Sequence, residues 1–424
     1  MRKTIVLVFL ISFLSPAHDF NTLLNLAFKN NRELRSANNE IESSKYNLKS
    51  ARSLYLPEIE AEMFKVVYQN EPLVIFPLNP ASHQFVTFPI TDDNFTQFNL
   101  TMNWLLFDFG GRKSAYKTAK KGVIASKYNL SLKKREIAIA LIERYEQAIE
   151  LKESIEIINH TIEDIDRHLL QVKKFRKEGL VPKSDILRLE AMKLNLESKR
   201  ADLKGKLDIV LKEIERITLT SVDSRTLSPL PDIEIDRKNA GNQALNNREE
   251  IKLITINKQV NTLQAKIERS LSLPQLVARV EYSNTTNNLN PVKSNTIYYV
   301  GIKLKLFDGM KSHYKKKSYL SLAKKSENIL ENTKKRISIQ IQNELKKLES
   351  LEKQVKFREQ AYQASKENYR VVELQFKEHI VSSIDLKDAL TSLQRDETQL
   401  KVTREKLKAQ KLKILWLTRK VEGE

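Results

Sequence analysis

Two aspartates three residues apart, Asp385 and Asp388, stand at the start of a helical stretch, where spacing of three puts both carboxylates on one face. Such a pair can attract cations or favour a helix N-terminus. Little else in the chain offers chemistry. The six histidines (His18, His83, His160, His168, His313 and His379) show no close pairing and no HExxH spacing, so no metal site is expected. Zero cysteines remove disulfides, thiolate metal sites, cysteine nucleophiles and lipid attachment at an N-terminal Cys. Neither a catalytic residue nor a cofactor is called for, and a non-enzymatic role follows.

What must position these aspartates is a long, sparsely punctuated chain. Nine Gly and eleven Pro in 424 residues point to long uninterrupted elements. A 41% hydrophobic content leaves no room for a helical membrane protein, and 30% charged residues without low-complexity tracts argue for order. The 73 Lys+Arg exceed the 53 Asp+Glu by 20, but the lysines are spread singly and in pairs among Glu and Asn without interleaved aromatics. That pattern describes a solvated helical surface rather than a nucleic-acid groove. At the front, Arg2 and Lys3 precede an apolar run from Ile5 to Leu14 and the small residues Ser15 and Ala17. The run is short for a membrane helix and reads as an export signal over residues 1–17.

The remainder is an internal duplication. Ala27-Phe28-Lys29-Asn30-Asn31-Arg32-Glu33 returns, one residue shorter, as Ala244-Leu245-Asn246-Asn247-Arg248-Glu249. Leu56-Pro57 returns as Leu273-Pro274. Leu106-Phe107-Asp108 and Glu178 with Asp185 return as Leu306-Phe307-Asp308 and Glu378 with Asp385, at a common offset of 200. The first repeat is placed at 18–217, a linker at 218–242 and the second repeat at 243–424.

Within each repeat the apolar period switches from helix to strand and back. A helix is expected from Asn21 to about Arg52, ended by Pro57. Alternation then marks strands at about 58–69, 94–108, 275–287 and 295–307, with loops at 71–93 and 287–294 between partners. Phe98, Leu100, Met102, Trp104 and Leu106 alternate with Asn99, Thr101 and Asn103; Val300, Ile302, Leu304 and Leu306 alternate with Gly301, Lys303 and Lys305. Long helices follow at 111–178 and 311–378. Their seams (Ala148, Leu151, Ile155, Ile158, Ile162, Ile165; Ile341, Leu348, Val355, Tyr362, Tyr369) step by three, four or seven, as in a coiled coil. Each long helix meets a turn and returns, at 184–217 and 384–421.

Four amphipathic strands have the length that crosses an outer membrane, yet four cannot close a barrel and an open edge is not tolerated in lipid. Several copies must share one barrel, with Leu100, Met102, Trp104, Val300, Ile302 and Leu304 toward lipid and Asn99, Thr101, Asn103, Lys303 and Lys305 toward water. The fold class expected is mainly α with membrane β.

The order helix, Leu-Pro, hairpin, Leu-Phe-Asp-x-Gly, long helix, aromatic-x-x-Gly, Asp and returning helix, occurring twice, resembles the TolC-like outer-membrane efflux and secretion channels. It is carried by Leu106-Phe107-Asp108-Phe109-Gly110-Gly111-Arg112 and Leu306-Phe307-Asp308-Gly309. The resemblance implies a homotrimer in the outer-membrane lipid: a helical coiled-coil barrel in the periplasm topped by a shared twelve-stranded β-barrel, four strands per chain. It also implies a periplasmic adaptor and an inner-membrane pump of RND or ABC type as partners, serving efflux or type I secretion. By the same resemblance Asp385, Asp388, Asp185 and Phe376 form the periplasmic constriction. The turns Gly179-Leu180-Val181 and His379-Ile380-Val381 meet the adaptor, and Gly110, Gly111 and Gly309 join strand to helix. The family's tyrosine, glycine and arginine in the second turn are replaced here by Phe376, His379 and Val381, leaving Arg188, Lys377 and His379 as candidate substitutes. An exported coiled-coil adhesin and a periplasmic adaptor are the competing readings; an adaptor has one hairpin where this chain has two.

Overall fold

The computed structural model describes residues 19–79 and 84–421; the export signal expected at 1–17 lies outside them. Its elements run α1 (Phe20–Asn30), α2 (Arg32–Ser53), β1 (Glu58–Val67), β2 (Leu73–Asn79), β3 (Gln84–Pro89), β4 (Asn94–Phe107), α3 (Gly111–Lys177) and α4 (Lys183–Thr218). After a 3-10 turn at Ser224–Thr226 come α5 (Ala240–Asn247), α6 (Glu249–Ser270), β5 (Gln275–Thr285), β6 (Ser294–Lys303), α7 (Lys311–Lys377) and α8 (Ser383–Thr418). Two compact units result. One joins Glu40–Lys127 to Lys252–Leu330; the other joins residues up to Asn39, Tyr128–Ile251 and the chain from Glu331.

The first of these units holds a four-stranded antiparallel sheet in the order β1-β4-β5-β6, so β1 and β6 are its edges. The register sorts side chains by face, because alternate residues point to opposite sides. Ile59, Met102, Val280 and Tyr298 form one apolar row across all four strands, and Trp104, Ala278 and Val300 form the next over three. The opposite face carries the row Glu60, Thr101, Glu281 and Ile297 and the row Glu58, Asn103, Arg279 and Tyr299. Tyr298, Val300 and Ile302 are 75%, 74% and 74% exposed, an apolar surface of a kind that soluble monomers rarely show.

Three strand expectations are corrected. Leu106 is not part of the alternation: pairing with β5 shifts between Leu105 and Phe107, so Phe107 takes the place opposite Leu276. Such a bulge adds one residue to one strand and bends it at the rim of the sheet. β6 ends at Lys303, leaving Leu304, Lys305 and Leu306 beyond the ladder. The stretch 71–93, expected as loop, contains the separate two-stranded hairpin β2/β3. Val74, Ile75 and Phe76 face Phe88, Thr87 and Val86 there, and β-branched and aromatic pairs of this kind hold a hairpin despite Pro77 and Pro89.

The helix expected over 21–52 is also two. Asn31 leaves helical geometry (φ −58°, ψ 129°) and its carboxamide accepts from the Glu33 N–H at 2.8 Å, opening α2. Arg248 makes the same break between α5 and α6. The interruptions serve the returning helices: Asn30 and Asn247 donate to the last carbonyls of α4 and α8, at Thr218 (3.5 Å) and Thr418 (2.9 Å). Helix ends leave such carbonyls without partners of their own. This correspondence also settles the one-residue difference in the repeat, matching Asn30 to Asn247 and Asn31 to Arg248.

In the helical unit most of the seam read from the sequence is buried, while Leu151, Val355, Tyr362 and Tyr369 are half-buried. Ala148, Ile158, Ile165, Val172, Ile341 and Leu348 are at most 1% exposed. Charges rim it: Glu143, Glu150 and Glu153 of α3 meet Lys413, Lys406 and Lys401 of α8 at 3.0, 2.9 and 3.0 Å. Glu146 lies in that row with no lysine of its own in contact among the described residues. Burial, with repulsion from Glu150 and Glu143 opposed by Lys406 and Lys413, pushes its carboxyl up from 4.5 to about 7. A raised carboxyl binds its proton more tightly folded than unfolded, so its contribution is present below about pH 4.5 and is lost as pH rises through 7. Glu146→Gln is therefore expected to raise the melting temperature at pH 8, with the gain shrinking toward pH 5. Equal gains at both pH values would contradict this.

Candidate functional site

At each strand-to-helix joint the aspartate of Leu-Phe-Asp caps the long helix that follows. Asp108, only 7% exposed, accepts from the Arg112 N–H at 2.5 Å and the Gly110 N–H at 3.3 Å. Asp308 accepts from the Ser312 N–H at 3.0 Å and the Ser312 hydroxyl at 2.5 Å, and these bonds hold its carboxyl below the usual range. A carboxylate at a helix N-terminus satisfies donors that the helix itself leaves open. Gly110 and Gly309 have φ of +87° and +67°, a region costly for other residues. Gly111 is needed for a different reason: a Cβ there would fall 2.3 Å from the Ser270 hydroxyl and 2.9 Å from the Asp108 carboxylate. Arg112 completes the joint, donating to the Leu106 carbonyl at 2.9 Å with its guanidinium 4.8 Å from the Tyr55 ring centre.

The far ends of the hairpins are closed by matched turns. Leu180 N–H bonds Phe175 O at 2.9 Å around Gly179 (φ +78°), and Ile380 N–H bonds Gln375 O at 2.9 Å around His379 (φ +57°). This double-bonded turn usually takes glycine at the left-handed position. At His379 the penalty is offset by contact, since its ring stacks edge-on to Phe175 with centres 4.2 Å apart. Phe175 in turn meets Phe376 at 6.3 Å, and Phe376 meets His168 at 6.4 Å. The Tyr369 hydroxyl lies 3.0 Å from His168 Nε2. Burial lowers the His168 pKa, favouring the neutral ring.

Phe376 is 3% exposed and packs with Ile165, Val172, Leu189, Leu386 and Leu390, so within one chain it fixes the turn from inside the core. Asp385 and Asp388 are both exposed. Asp385 forms a capping box with Ser382, accepting from its N–H at 3.0 Å and its hydroxyl at 2.6 Å, which lowers the carboxyl pKa. Asp388 pairs with Lys387 at 2.9 Å. Asp185 occupies the corresponding place on α4, but Pro182 replaces Ser382 and offers neither hydroxyl nor N–H. Asp185 instead meets Arg188 at 3.7 Å, while Lys377 meets Glu373 at 3.0 Å. Leu180, Ile380 and Ile384 are exposed at the turns (56%, 69% and 43%), and Val181 and Val381 pack against the core.

The sequence reading missed a buried ion pair. Arg135 of α3 and Glu249 of α6 are each 2% exposed in their side chains and meet through two hydrogen bonds of 2.9 and 3.0 Å. Arg135 also donates to the carbonyls of Trp416 and Arg419 (2.9 Å for the latter), closing the end of α8. The placement of Glu249 directly after the repeated Asn-Arg motif was the available signal.

The chain thus folds as two long helical hairpins, each entered from a strand pair of one amphipathic sheet. Residues 23–218 match the family model described as outer membrane efflux protein. No curated protein matches by sequence. The fold is similar to VceC, an outer membrane protein of Vibrio cholerae, at 13% identity, covering 95% of this chain and 97% of that one with a TM-score of 0.77. It is similar also to the CmeC outer membrane channel of Campylobacter jejuni (14% identity, 94% and 85% covered, TM-score 0.76). The open state of the MtrE outer membrane channel of Neisseria gonorrhoeae is likewise similar (15%, 96% and 90%, TM-score 0.73). The resemblance carried by the doubled Leu-Phe-Asp motif is thus borne out: the first repeat has the sequence pattern of the outer membrane efflux protein family, and about 95% of the chain shares the fold of solved outer membrane channels.

Proposed function

We propose that three copies of this chain form an outer-membrane exit duct, the sheets together closing one barrel and the helical hairpins extending into the periplasm. The carrying observation is the sheet itself: four strands, one apolar face, and two edges, β1 and β6, that have no partner strand among the described residues. In lipid those edges need neighbours, and identical chains supply them with closed symmetry. Four strands from each of three chains give an even-numbered barrel within the usual size range. A periplasmic adaptor and an inner-membrane pump of RND or ABC type, in tripartite efflux or type I secretion, are the partners this reading assigns. The exposed turns at Leu180 and Ile380 are the surface offered to the adaptor.

Asp385 and Asp388, three residues apart on α8, become two stacked acidic rings when three chains meet around a common axis, with Asp185 on the adjoining turns. The Ser382 bonds hold the Asp385 carboxyl below its ordinary range, and its contribution to the turn is lost only as pH falls through that lowered pKa. In a narrow passage, low-dielectric walls focus this local charge even though the chain carries +20 overall. The test is conductance in planar bilayers. The wild type is expected to give discrete cation-preferring steps, and Asp385→Asn with Asp388→Asn to reduce that preference and weaken block by divalent and trivalent cations. Unchanged selectivity and block in the double variant would place the constriction elsewhere, and an absence of conductance in the wild type would favour an adhesin.

A further inference from the structure

One stretch of this charged chain carries no charge at all. Residues 72–91 contain no Asp, Glu, Lys or Arg in a sequence that is 30% charged. They supply the β2/β3 hairpin, and both of its faces are apolar. Register and alternation put Val74, Phe76, Val86 and Phe88 on one side and Leu73, Ile75, Pro77 and Phe85 on the other. Ile75, Phe76 and Phe85 are 62%, 55% and 61% exposed. A lone two-stranded hairpin is marginal in water, and one with two exposed apolar faces needs cover on both. The hairpin stands at the end of the sheet opposite the helices, because β1 leads into it and β4 out of it, while α2 and α3 adjoin the other ends of those strands.

The root of the hairpin shows the side on which it leaves the sheet. Alternation along β4 puts Phe95 on the face of Asn99, Thr101 and Asn103, the face assigned to water, yet Phe95 is only 8% exposed. The Tyr68 ring lies 6.3 Å from it. Gln97 pairs with Thr285, and the Thr286 N–H bonds the Thr96 carbonyl at 3.0 Å, so the same register carried two residues further sets Asn287 beside Phe95. Asn287 is 7% exposed. Its carboxamide accepts from the Asp92 N–H at 2.9 Å and donates to the Thr91 hydroxyl at 2.7 Å, while the Asn288 N–H donates to the Asp92 carboxylate. Residues 91 and 92 therefore cross the water face, and the hairpin is latched to that side of the sheet.

We propose that the hairpins of three copies fold into the outer mouth of the duct and close it by packing against one another. The inference rests on the shared-barrel reading of the sheet. Twelve strands, four from each copy, about 4.8 Å apart and tilted by about 40°, enclose a radius of roughly 12 Å. The seven residues of β2 span roughly 23 Å, so each hairpin reaches the axis. Two apolar faces are what a ring of three requires, since each member meets one neighbour with one face and the other neighbour with the opposite face. The passage that results is lined by side chains that water wets poorly, and an apolar constriction of this kind closes by drying.

The chain has no cysteine of its own, so placed cysteines report directly on the contact. Full-length I75C/F76C, one thiol on each face of the hairpin, is treated in outer membranes with a short bis-maleimide. A covalent trimer is expected, whereas I75C or F76C alone, with one thiol per chain, stops at a dimer. In a second measurement N103C, on the water face below the hairpin, is labelled from outside intact cells with a bulky, impermeant maleimide. I75D/F85D should speed that labelling at least about tenfold, because carboxylates resist burial in an apolar contact. Absence of the covalent trimer in protein whose native mass is that of three chains, or an unchanged labelling rate at position 103, overturns the proposal. A native mass of one chain instead rejects the shared barrel beneath it.

Discussion

Replacing Arg135 with alanine is expected to destabilise the helical unit by about 3–5 kcal/mol, the usual cost of leaving one member of a buried ion pair without its partner. Glu249 would then be left without its partner in a site where its side chain is 2% exposed, and the Trp416 and Arg419 carbonyls would lose a donor at the end of α8. The cation also sits where the α8 dipole is negative, so its loss acts twice on the same helix end. Arg135→Met combined with Glu249→Leu should recover part of the loss, because an apolar pair of similar volume avoids the desolvation of charge. Recovery stays incomplete, since the two carbonyls remain without the guanidinium. Thermal dissociation of the detergent-solubilised protein should fall by at least about 5 °C for the single variant. No change would mean that water reaches Glu249 and that the pair is peripheral.

The second large effect is expected in the sheet. Met102 lies in the middle of the apolar row formed with Ile59, Val280 and Tyr298, whereas its neighbour Thr101 faces Glu60 and Glu281. Arginine on the lipid face of a membrane barrel costs about 2–4 kcal/mol near the midplane. Three copies in one barrel bring this to roughly 6–12 kcal/mol, enough to abolish assembly. Met102→Arg should therefore remove the heat-modifiable species from outer membranes. Thr101→Arg, one residue away, adds a cation between two carboxylates on the water side and should assemble normally. The opposite pattern would reverse the assignment of the faces.

Much of this architecture was legible because it is written in short periods. The seam of Ile155, Ile158, Ile162, Ile165, Leu169 and Val172 repeats every three or four residues, and the Phe98 to Trp104 alternation every two, so local counting finds both. Duplication doubled each signal: Asp108 and Asp308 mark the same joint 200 residues apart. What stayed hidden depends on contacts between distant segments. Arg135 is one cation among 73 Lys+Arg, and only the fold brings it to Glu249 and to carbonyls more than 280 residues away. The bulge at Leu106 was invisible because an extra strand residue is defined by what the partner strand lacks. In the candidate constriction, the type and place of Asp385 and Asp388 were readable, but the capping box was not separated from a role in the passage. Ser382 binds Asp385 in the single chain, and one carboxylate can both start a helix and present charge.

The mass of the detergent-extracted complex distinguishes a sheet that is one part of a shared membrane barrel from one that stands alone. Native mass spectrometry of material taken from outer membranes should give three times the mass of the mature chain, converting to single chains only on heating. A stable, folded monomer carrying the β1 and β6 edges unpaired would rule out a shared barrel.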